Sequence, residues 1–434
     1  MRVLATVLLL ALLGGCLAPA AELDAGPTWL VADGQPAGEL VRWSGATLDG
    51  GRGSFEGAAA DWACWAQVGC PAAPVACADA NCERRPFTLV EPGGAVVLSV
   101  RWPTDARASL DAWIEDAGGR PVALAPLAFI SQIGLVARLE DAPAGDYVAV
   151  VAARAGKAAY EAAVRVEPPR ADDAPRPLLP NLVTLPPTDL RLETPDYAGV
   201  SYFAFPVPGI RQAMEAAGTK GCRVDETAEY RAARCLRFSN AVANLGEGPL
   251  DVRLAAGGTS FVQRVHASDG GFEEHAGGAA EWHATHAHWH NAASNLFTVR
   301  PYDVATRALG EPLGEGKKGG ICFADVGVVD VGLPLMRPAA QGGWGCFQPT
   351  ADARAEWAMG ITPGWYDLYA YLLSDQYVDL TGLDDGAYAL CSVTNGEGTL
   401  LETDLADNEA CTPFRLAGDA IELLEPAPYH AMRG

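Results

Sequence analysis

The sequence has few basic residues, and this shortage already excludes one class of function. Lys and Arg total 31 against 54 Asp and Glu, which gives a formal net charge of −23 at pH 7. Such a composition does not suit nucleic acid, because the phosphate backbone is bound mainly by Lys and Arg. The excess of carboxylates suits cationic substrates such as amines, and solubility outside the cell explains it equally well.

Several common signatures are missing as well. The chain contains no phosphate-binding P-loop, no dinucleotide-binding fingerprint and no nucleophile elbow. No two cysteines have the C-x-x-C spacing of a thiolate zinc site. Beyond the N-terminus, no stretch reaches the ~18 apolar residues that a membrane-spanning helix needs.

Residues 1–15 have the pattern of a secretory signal, with a positive charge at Arg2 and an apolar run at residues 7–13. The following Leu-Gly-Gly-Cys, ending at Cys16, resembles the bacterial lipobox, in which cleavage precedes a lipidated cysteine. The alternative is an ordinary signal peptide cut near residues 18–20. We expect an exported protein that is anchored to the bacterial cell envelope by a lipid on Cys16 and faces an oxidising compartment.

Export makes disulfides the expected state of the cysteines. Setting aside Cys16 leaves ten of the eleven cysteines, an even number. Four of them cluster early and are interpreted as a structural staple: Cys64, Cys70, Cys77 and Cys82. The order of the other six suggests the pairs Cys222–Cys235, Cys322–Cys346 and Cys391–Cys411, although order does not establish connectivity.

The length and the pattern of the chain predict an all-β protein with two β-sandwich-type domains. The expected parts are a signal peptide (1–15), a lipidated tether (16–40), an N-terminal β-sandwich accessory domain (41–167), a Pro-rich linker (168–178) and a second domain (179–425). Apolar or alternating runs predict strands at 95–100, 110–114, 147–151, 160–166, 236–239, 250–254, 297–300 and 377–380. One short helix is predicted at 210–217.

Four of the seven histidines lie within eight residues, at His283, His286, His288 and His290. On a β-strand the last three alternate with other residues and share one face. Neutral imidazoles suit Cu, Zn, Fe or Ni. Because an extended strand separates residues i and i+4 by about 13.6 Å, we expect a bend that lets all three reach one ion at ~2.0–2.1 Å.

Residues 282–290 (WHATHAHWH) resemble the copper-binding W-H-x-x-H-x-H-x-H motif of the lysyl oxidase family. The resemblance covers about residues 178–420 and includes the segments 179–183, 235–238, 318–322, 364–369 and 376–381. It implies a copper-binding catalytic domain with few short helices and with His286, His288 and His290 as copper ligands. The whole chain is similar to a bacterial lysyl oxidase-like lipoprotein with an N-terminal accessory domain.

The resemblance also implies a cofactor built from the chain itself, lysine tyrosylquinone. By position in the matching motifs, the lysine is Lys318, four residues before Cys322, and the tyrosine is Tyr369. Lys317 is the alternative lysine. The alternative tyrosines, which could equally be ordinary core or surface residues, are Tyr366, Tyr371 and Tyr377.

The implied activity is copper- and quinone-dependent oxidative deamination of primary amines, with peptidyl lysine as one candidate substrate. O₂ is the oxidant, and the products are an aldehyde, ammonia and hydrogen peroxide. Residues 291–297 do not reproduce the pattern of the animal enzymes, which leaves the general base open. His283 is the nearest titratable candidate, and otherwise it orients a metal ligand.

Two other functions stay open at this point. One is a non-catalytic copper-binding surface or adhesion protein that retains the fold. The other is a zinc hydrolase that uses the same histidines, although zinc is not redox-active and could not build the quinone.

A calcium site is implied by the acidic loop near the C-terminus, together with the start of the second domain. Its candidate ligands are Asn181, Glu402, Asp404, Asp407 and Asn408. Hard oxygen ligands at this density suit Ca²⁺. The alternative is an acidic turn that closes before Cys411.

Overall fold

The computed structural model of the 434-residue chain describes residues 39–49, 77, 81–90, 94–102, 108–125, 134–167, 174–193, 234–256, 258–283, 288–292, 294–316, 319–332, 358–369, 371 and 376–425. Within these ranges the protein is all-β, as predicted, with 23 strands. No helix able to span a bilayer occurs in this part of the chain. Cys16 and the predicted helix at 210–217 lie outside the described residues.

The first seven strands form one sheet, here called the N-terminal sheet: β1 (Glu39–Asp49), β2 (Cys82–Leu89), β3 (Ala95–Arg101), β4 (Ala108–Asp116), β5 (Pro121–Leu124), β6 (Gly134–Glu140) and β7 (Gly145–Glu167). The first half of β7 pairs with β2 and β4, and its second half pairs with β1 and β3. Apolar side chains from both halves form a single hydrophobic core.

The strands predicted at 147–151 and 160–166 are therefore parts of one strand, and the expected break between them is wrong. Pairing with β4 continues to Gly156, and pairing with β1 resumes at Lys157. Hydrogen bonding thus passes from one partner to the next without a gap. Five of the other six predicted strands fall within an observed strand, and the sixth, predicted at 377–380, is observed at Tyr377–Asp379.

The remaining strands are β8 (Pro177–Leu178), β9 (Leu182–Glu193), β10 (Cys235–Asn244), β11 (Leu250–Leu254), β12 (Ser260–Ala267), β13 (Phe272–His283), β14 (His288–Asn291), β15 (Asn295–Pro301), β16 (Gly314–Glu315), β17 (Gly327–Val328), β18 (Ala358–Ile361), β19 (Trp365–Tyr369), β20 (Tyr377–Asp379), β21 (Gly386–Thr394), β22 (Glu409–Ala417) and β23 (Ala420–Leu423). They form three sheets. The central sheet contains β9, β10, β17, β19 and β20; the hairpin sheet contains β8, β11 to β14 and β18; the C-terminal sheet contains β15, β16 and β21 to β23.

The central and C-terminal sheets pack face to face around a shared core. The rings of Phe238 in β10 and Phe297 in β15 meet edge to face at 4.8 Å between centroids. Both side chains are fully buried, as expected for alternating apolar positions on the inner faces of two stacked sheets. The bounds proposed for the two domains and the linker remain predictions.

Disulfides are present in both parts of the chain. Cys391–Cys411 joins β21 to β22, which confirms that predicted pair. Cys77 and Cys82, from the early cluster, are also bonded to each other. Cys235 and Cys322 are disulfide-bonded as well, but their partners lie outside the described residues, so the pairs Cys222–Cys235 and Cys322–Cys346 stay predictions.

The N-terminal sheet packs directly against the rest of the protein through the outer face of β3, β6 and β7. Val97, Val136 and Ala163 on this face belong to the same hydrophobic cluster as Val328 and Val331. The face is therefore covered, which explains why β3 is buried along almost its whole length. A continuous apolar run such as β3 is typical of a strand buried on both faces.

A network of charges lies beside this apolar contact. Glu161, only 7% exposed, accepts hydrogen bonds from Arg42 at 3.1 Å and from Arg101 at 2.7 Å. Arg42 also binds the Asp330 carboxylate at 3.0 Å, and Arg101 donates to the Val329 carbonyl. Glu161 thus orients two arginines of the N-terminal sheet towards residues 329–330.

We expect Glu161→Gln to destabilise the protein by about 2 kcal/mol, because it leaves two partly buried arginines short of a negative partner. Glu140→Gln is the matched control, since Glu140 pairs with Arg138 but its side chain is 49% exposed. Exposed pairs contribute less than ~1 kcal/mol. Urea unfolding and hydrogen exchange of residues 326–332 measure the effect. Equal losses for the two variants would contradict this role of the network.

Candidate metal and cofactor centre

The histidine run is divided between the two strands of a hairpin. β13 and β14 pair in antiparallel register, with Glu281 opposite His290, Trp282 opposite Trp289 and His283 opposite His288. The run therefore does not form the single bent strand that the spacing predicted. His283 lies on β13, and His288 and His290 lie on β14. Residues 284–287, which include His286, lie outside the described residues.

The two tryptophans hold the hairpin together from one side. Their rings meet edge to face at 5.3 Å between centroids, a favourable geometry for a cross-strand pair. Trp289 also lies against Gly258 at 3.6 Å from its would-be Cβ. On β14, His290 is fully buried.

The segment Gly319–Cys322, directly after the two lysines, is hydrogen-bonded to the strands on either side of residues 292–294. Asn291 donates its backbone N–H to the Ile321 carbonyl at 3.2 Å, and Asn295 donates to the Gly319 carbonyl at 3.1 Å. The segment also runs close to His290. A Cβ on Gly320 would lie 2.9 Å from the His290 Cβ, so only glycine allows this approach without displacement.

The side chain of Ser294 also binds the segment Gly319–Cys322. Its hydroxyl accepts a hydrogen bond from the Ile321 N–H at 3.0 Å and donates one to the Asn291 carbonyl at 2.9 Å. Ser294 is buried. Lys317 and Lys318 lie outside the described residues, so the choice between them remains a prediction.

The Tyr369 hydroxyl lies on the backbone of Cys322. It accepts a hydrogen bond from the Cys322 N–H at 2.6 Å and donates one to the Cys322 carbonyl at 2.9 Å. Burial raises the pKa of Tyr369 well above its usual value, and the nearby Asp367 carboxylate raises the pKa further. Tyr369 thus lies against Cys322, which is four positions beyond Lys318 in the sequence.

The other candidate tyrosines occupy different surroundings. Tyr366 packs with Val183 and Leu185 in a separate hydrophobic cluster. The guanidinium of Arg191 stacks on Tyr371, 4.1 Å from its ring centre. Tyr377 is fully buried on β20, opposite Arg237.

The acidic loop meets the start of β9, as the sequence suggested. Asn181 donates its side-chain N–H to Asp407 at 2.9 Å, and Leu182 donates its backbone N–H to Glu402 at 2.7 Å. Asn408 donates to the other Glu402 oxygen at 2.7 Å. Asp404 is exposed and accepts a hydrogen bond from the backbone of its own turn at 2.8 Å.

Two oxygens of this cluster have no hydrogen-bond partner among the described residues: Asp407 Oδ1 and Asn408 Oδ1. Asn408 is only 3% exposed. Burial raises the pKa of both Glu402 and Asp407, and the neighbouring Asp404 raises the pKa of Asp407 further. A buried group of oxygen acceptors that resists ionisation is an arrangement that a hard cation would stabilise.

Residues 291–297, which do not match the pattern of the animal enzymes, bind the segment Gly319–Cys322 that follows the two lysines. Asn291, Ser294 and Asn295 all bond to Gly319 or Ile321. The sequence signal for this role is a group of small polar residues at the start of a strand. The sequence could not show which segment they would bind.

Part of the chain is similar in sequence to known proteins. The sequence model of the lysyl oxidase family matches residues 260–425. Residues 260–425 are therefore similar to the lysyl oxidase family. Zebrafish lysyl oxidase homolog 3B (Danio rerio) is 30% identical over 179 residues, which are 41% of this chain and 17% of the relative.

Human lysyl oxidase homolog 1 is 30% identical over 128 residues, covering 30% of this chain and 19% of the relative. Rat protein-lysine 6-oxidase (Rattus norvegicus) is 27% identical over 138 residues, covering 32% and 29%. The chain thus spans less than a third of the length of these relatives. A solved Bacillus licheniformis lipase aligns at 9% identity over 45% of this chain and 41% of that chain, with a TM-score of 0.16, and carries no information about the fold.

The region matched by the family model begins with β12 and includes the histidine hairpin, both lysines, Tyr369 and the acidic loop. The expected resemblance began earlier, near residue 178, and the matched family region leaves out β9, β10 and β11. These strands are nevertheless joined to it, since β10 pairs with β19 and β11 pairs with β12.

We expect Ser294→Ala to destabilise the protein by ~1–3 kcal/mol, because it leaves the buried Ile321 N–H without a partner and removes one of the two hydrogen bonds to the Asn291 carbonyl. Ser392→Ala is the matched control. Ser392 is fully buried, but its hydroxyl has no hydrogen-bond partner among the described residues. Chemical denaturation gives both values, and an equal cost for the two serines would show that Ser294 does not hold the segment.

Proposed function

We propose that this protein is a copper-dependent amine oxidase that converts primary amines, including peptidyl lysine, to aldehydes. The balanced reaction is R–CH₂–NH₂ + O₂ + H₂O → R–CHO + NH₃ + H₂O₂. The substrate loses two electrons and two protons, and O₂ gains them. The acidic charge of the chain supports the choice of a cationic substrate.

One observation carries the proposal more than any other. The Tyr369 hydroxyl binds the backbone of Cys322, and the residues just before Cys322 are bonded to the strand of His290. Two segments that are separated in sequence, the strand of His290 and the strand of Tyr369, therefore meet at Gly319–Cys322. A metal site, a lysine and a tyrosine are needed together for a cofactor built from the chain.

The residue types fit such a group. His286, His288 and His290 would hold the copper, whose preference for imidazole matches a donor set without an added thiolate. Lys318 and Tyr369 would form lysine tyrosylquinone, with one ring oxygen gained and four hydrogens lost as two O₂ become H₂O and H₂O₂. When present, this group supplies the electron acceptor that no ordinary side chain offers.

The chain's own residues then have separable tasks. The backbone of Cys322 holds the oxygen of Tyr369 in place through both of its polar groups. His283, on the strand opposite His288, is the candidate base that takes the proton from the substrate carbon. Trp282 and Trp289 keep the two histidine-bearing strands in register.

We expect the copper-loaded protein to contain a covalent link between Lys318 and Tyr369, detected as two joined peptides in a tryptic map. Lys318→Met and Tyr369→Phe abolish the link and the amine-dependent release of peroxide. Lys317→Met keeps both. Tyr302→Phe is the control for tyrosine loss, since that hydroxyl binds Glu425 at 3.1 Å.

If the Lys318 and Tyr369 peptides are separate in a protein with bound copper, the proposal is wrong, and the protein is a non-catalytic copper-binding protein. Stoichiometric zinc with hydrolytic turnover would instead favour a hydrolase. A link that survives in Lys318→Met but not in Lys317→Met would move the role to the neighbouring lysine.

We further propose that the acidic loop binds Ca²⁺ through oxygens of Glu402, Asp407 and Asn408, with Asn181 and Asp404 completing the group. The two oxygens that lack partners support this site. The hydrogen bond from the Leu182 N–H to Glu402 also supports a calcium site, because a cation bound at Glu402 would connect β9 to the acidic loop. The protein would then need calcium for stability and copper for activity.

Calcium should stabilise the protein more at pH 7.5 than at pH 4.5. Because Glu402 and Asp407 have raised pKa values, their protonated forms stabilise the cation-free fold, and this contribution is lost as the pH rises through those values. Ca²⁺ favours the charged forms, so its effect grows over the same range. At 100 times the dissociation constant it contributes about 2.7 kcal/mol.

Thermal unfolding with and without Ca²⁺ measures this difference. Asp407→Asn should remove the stabilisation, whereas Asp419→Asn, on an exposed turn, should keep it. A calcium effect that is absent in the unsubstituted protein, or equal at both pH values, would rule out the site.

We also propose that the protein is exported and anchored by a lipid on Cys16. The disulfides at Cys77–Cys82 and Cys391–Cys411 support an oxidising compartment.

A further inference from the structure

Two buried side-chain amides near Tyr369 lack the hydrogen bonds that such groups normally make. Asn240 is 1% exposed and Gln376 is fully buried. Within the described ranges, neither the oxygen nor the nitrogen of either amide has a hydrogen-bond partner. Leaving one buried polar group unsatisfied costs ~1–3 kcal/mol, and most such groups in proteins are paired. Two together therefore indicate a partner that the unmodified side chains do not supply.

The strand register places Asn240 beside Tyr369. In the antiparallel pair of β10 and β19, Asn240 lies directly opposite Tyr369, and Val242 lies opposite Asp367. Directly opposed residues share one face of a sheet, with Cβ atoms ~4.5–5.5 Å apart. Val242 and Tyr369 also belong to the same hydrophobic cluster, which confirms the common face.

Gln376 comes next along the same strand. After β19 ends, β20 continues the pairing with β10, and Tyr377 lies opposite Arg237. Gln376 directly precedes Tyr377, so an in-register continuation of this pair would set it beside Phe238, two positions from Asn240. Both amides therefore lie along the edge of β10 that pairs with β19 and β20.

As a plain tyrosine, Tyr369 has no proton left to donate to these amides. A phenol ring has one polar group, and both hydrogen-bonding functions of this hydroxyl are used by the Cys322 N–H and carbonyl. A ring that has gained a second oxygen and a nitrogen presents a new acceptor and a new donor. An amide matches both, because its nitrogen donates and its oxygen accepts.

We infer that Asn240 is a positioning residue that hydrogen-bonds the ring formed from Tyr369, with Gln376 as a second amide on the same edge. This inference rests on the proposed function. The amides are in position before the ring is modified. Until then their missing hydrogen bonds destabilise the folded protein, and the modified ring supplies the partners. The ring is then held by Cys322 at its original oxygen and by amides at its new substituents.

The test compares Asn240→Leu in two backgrounds. In Tyr369→Phe protein, where no modified ring can form, Asn240→Leu keeps or raises the unfolding midpoint, since it removes an amide without partners. In the mature copper-loaded protein, the same substitution shifts the visible absorption band of the ring. It also lowers kcat about 10-fold and changes KM less than about twofold, as expected for a lost hydrogen bond near 1.4 kcal/mol.

Thr188→Val is the matched control. Thr188 is 3% exposed, and its hydroxyl lacks a hydrogen-bond partner among the described residues, but it lies on β9, opposite Ser239. It should keep or raise the unfolding midpoint without moving the band. Gln376→Met provides a second reading of the band if Asn240→Leu does not fold.

The outcomes separate this inference from the function on which it rests. An unsubstituted protein that shows the band, with the band and kcat unchanged in Asn240→Leu and Gln376→Met, overturns the inference alone. An unsubstituted, copper-loaded protein without the band overturns both. A shifted band together with an undiminished midpoint in the Tyr369→Phe background supports it.

Discussion

The structure depends on the backbone of residues 319–332, which touches every sheet. Its first part is bonded to Asn291, Ser294 and Asn295, and Cys322 receives the Tyr369 hydroxyl. Its last part pairs with β19 and packs against the N-terminal sheet. Since the ends of this segment are held by different sheets, a displacement at one end would be transmitted to the other through closely packed neighbours.

Buried acids are placed where they hold this framework together. Asp325, inside the segment, accepts hydrogen bonds from the N–H and hydroxyl of Thr362 at 2.7 and 2.6 Å. Burial raises its pKa to about 6. The acidic loop likewise ties β9 to the C-terminal sheet through Glu402 and Asp407. A chain with a net charge of −23 thus uses several carboxylates internally, where hydrogen bonds offset part of the cost of burial.

The sequence predicted features that depend on local pattern. Strands were found from alternation, and the histidine run and the acidic loop were found from residue types at short spacing. Features set by distant pairing were not predictable. The hairpin that divides the histidines depends on which strand β14 joins, and the placement of Asn240 depends on the register between β10 and β19. A slip of one residue would turn Asn240 to the other face, and no local signal fixes that choice.

Burial of Tyr369 bears on the order in which the proposed cofactor could form. Its pKa is raised by burial and by Asp367, so its hydroxyl is protonated at neutral pH and donates to the Cys322 carbonyl. The electron-rich phenolate is therefore disfavoured in the metal-free protein. A cation bound near the ring would oppose both causes, because it offsets the low polarity and the negative carboxylate. Without such a cation, the two hydrogen bonds to Cys322 hold the protonated tyrosine in position.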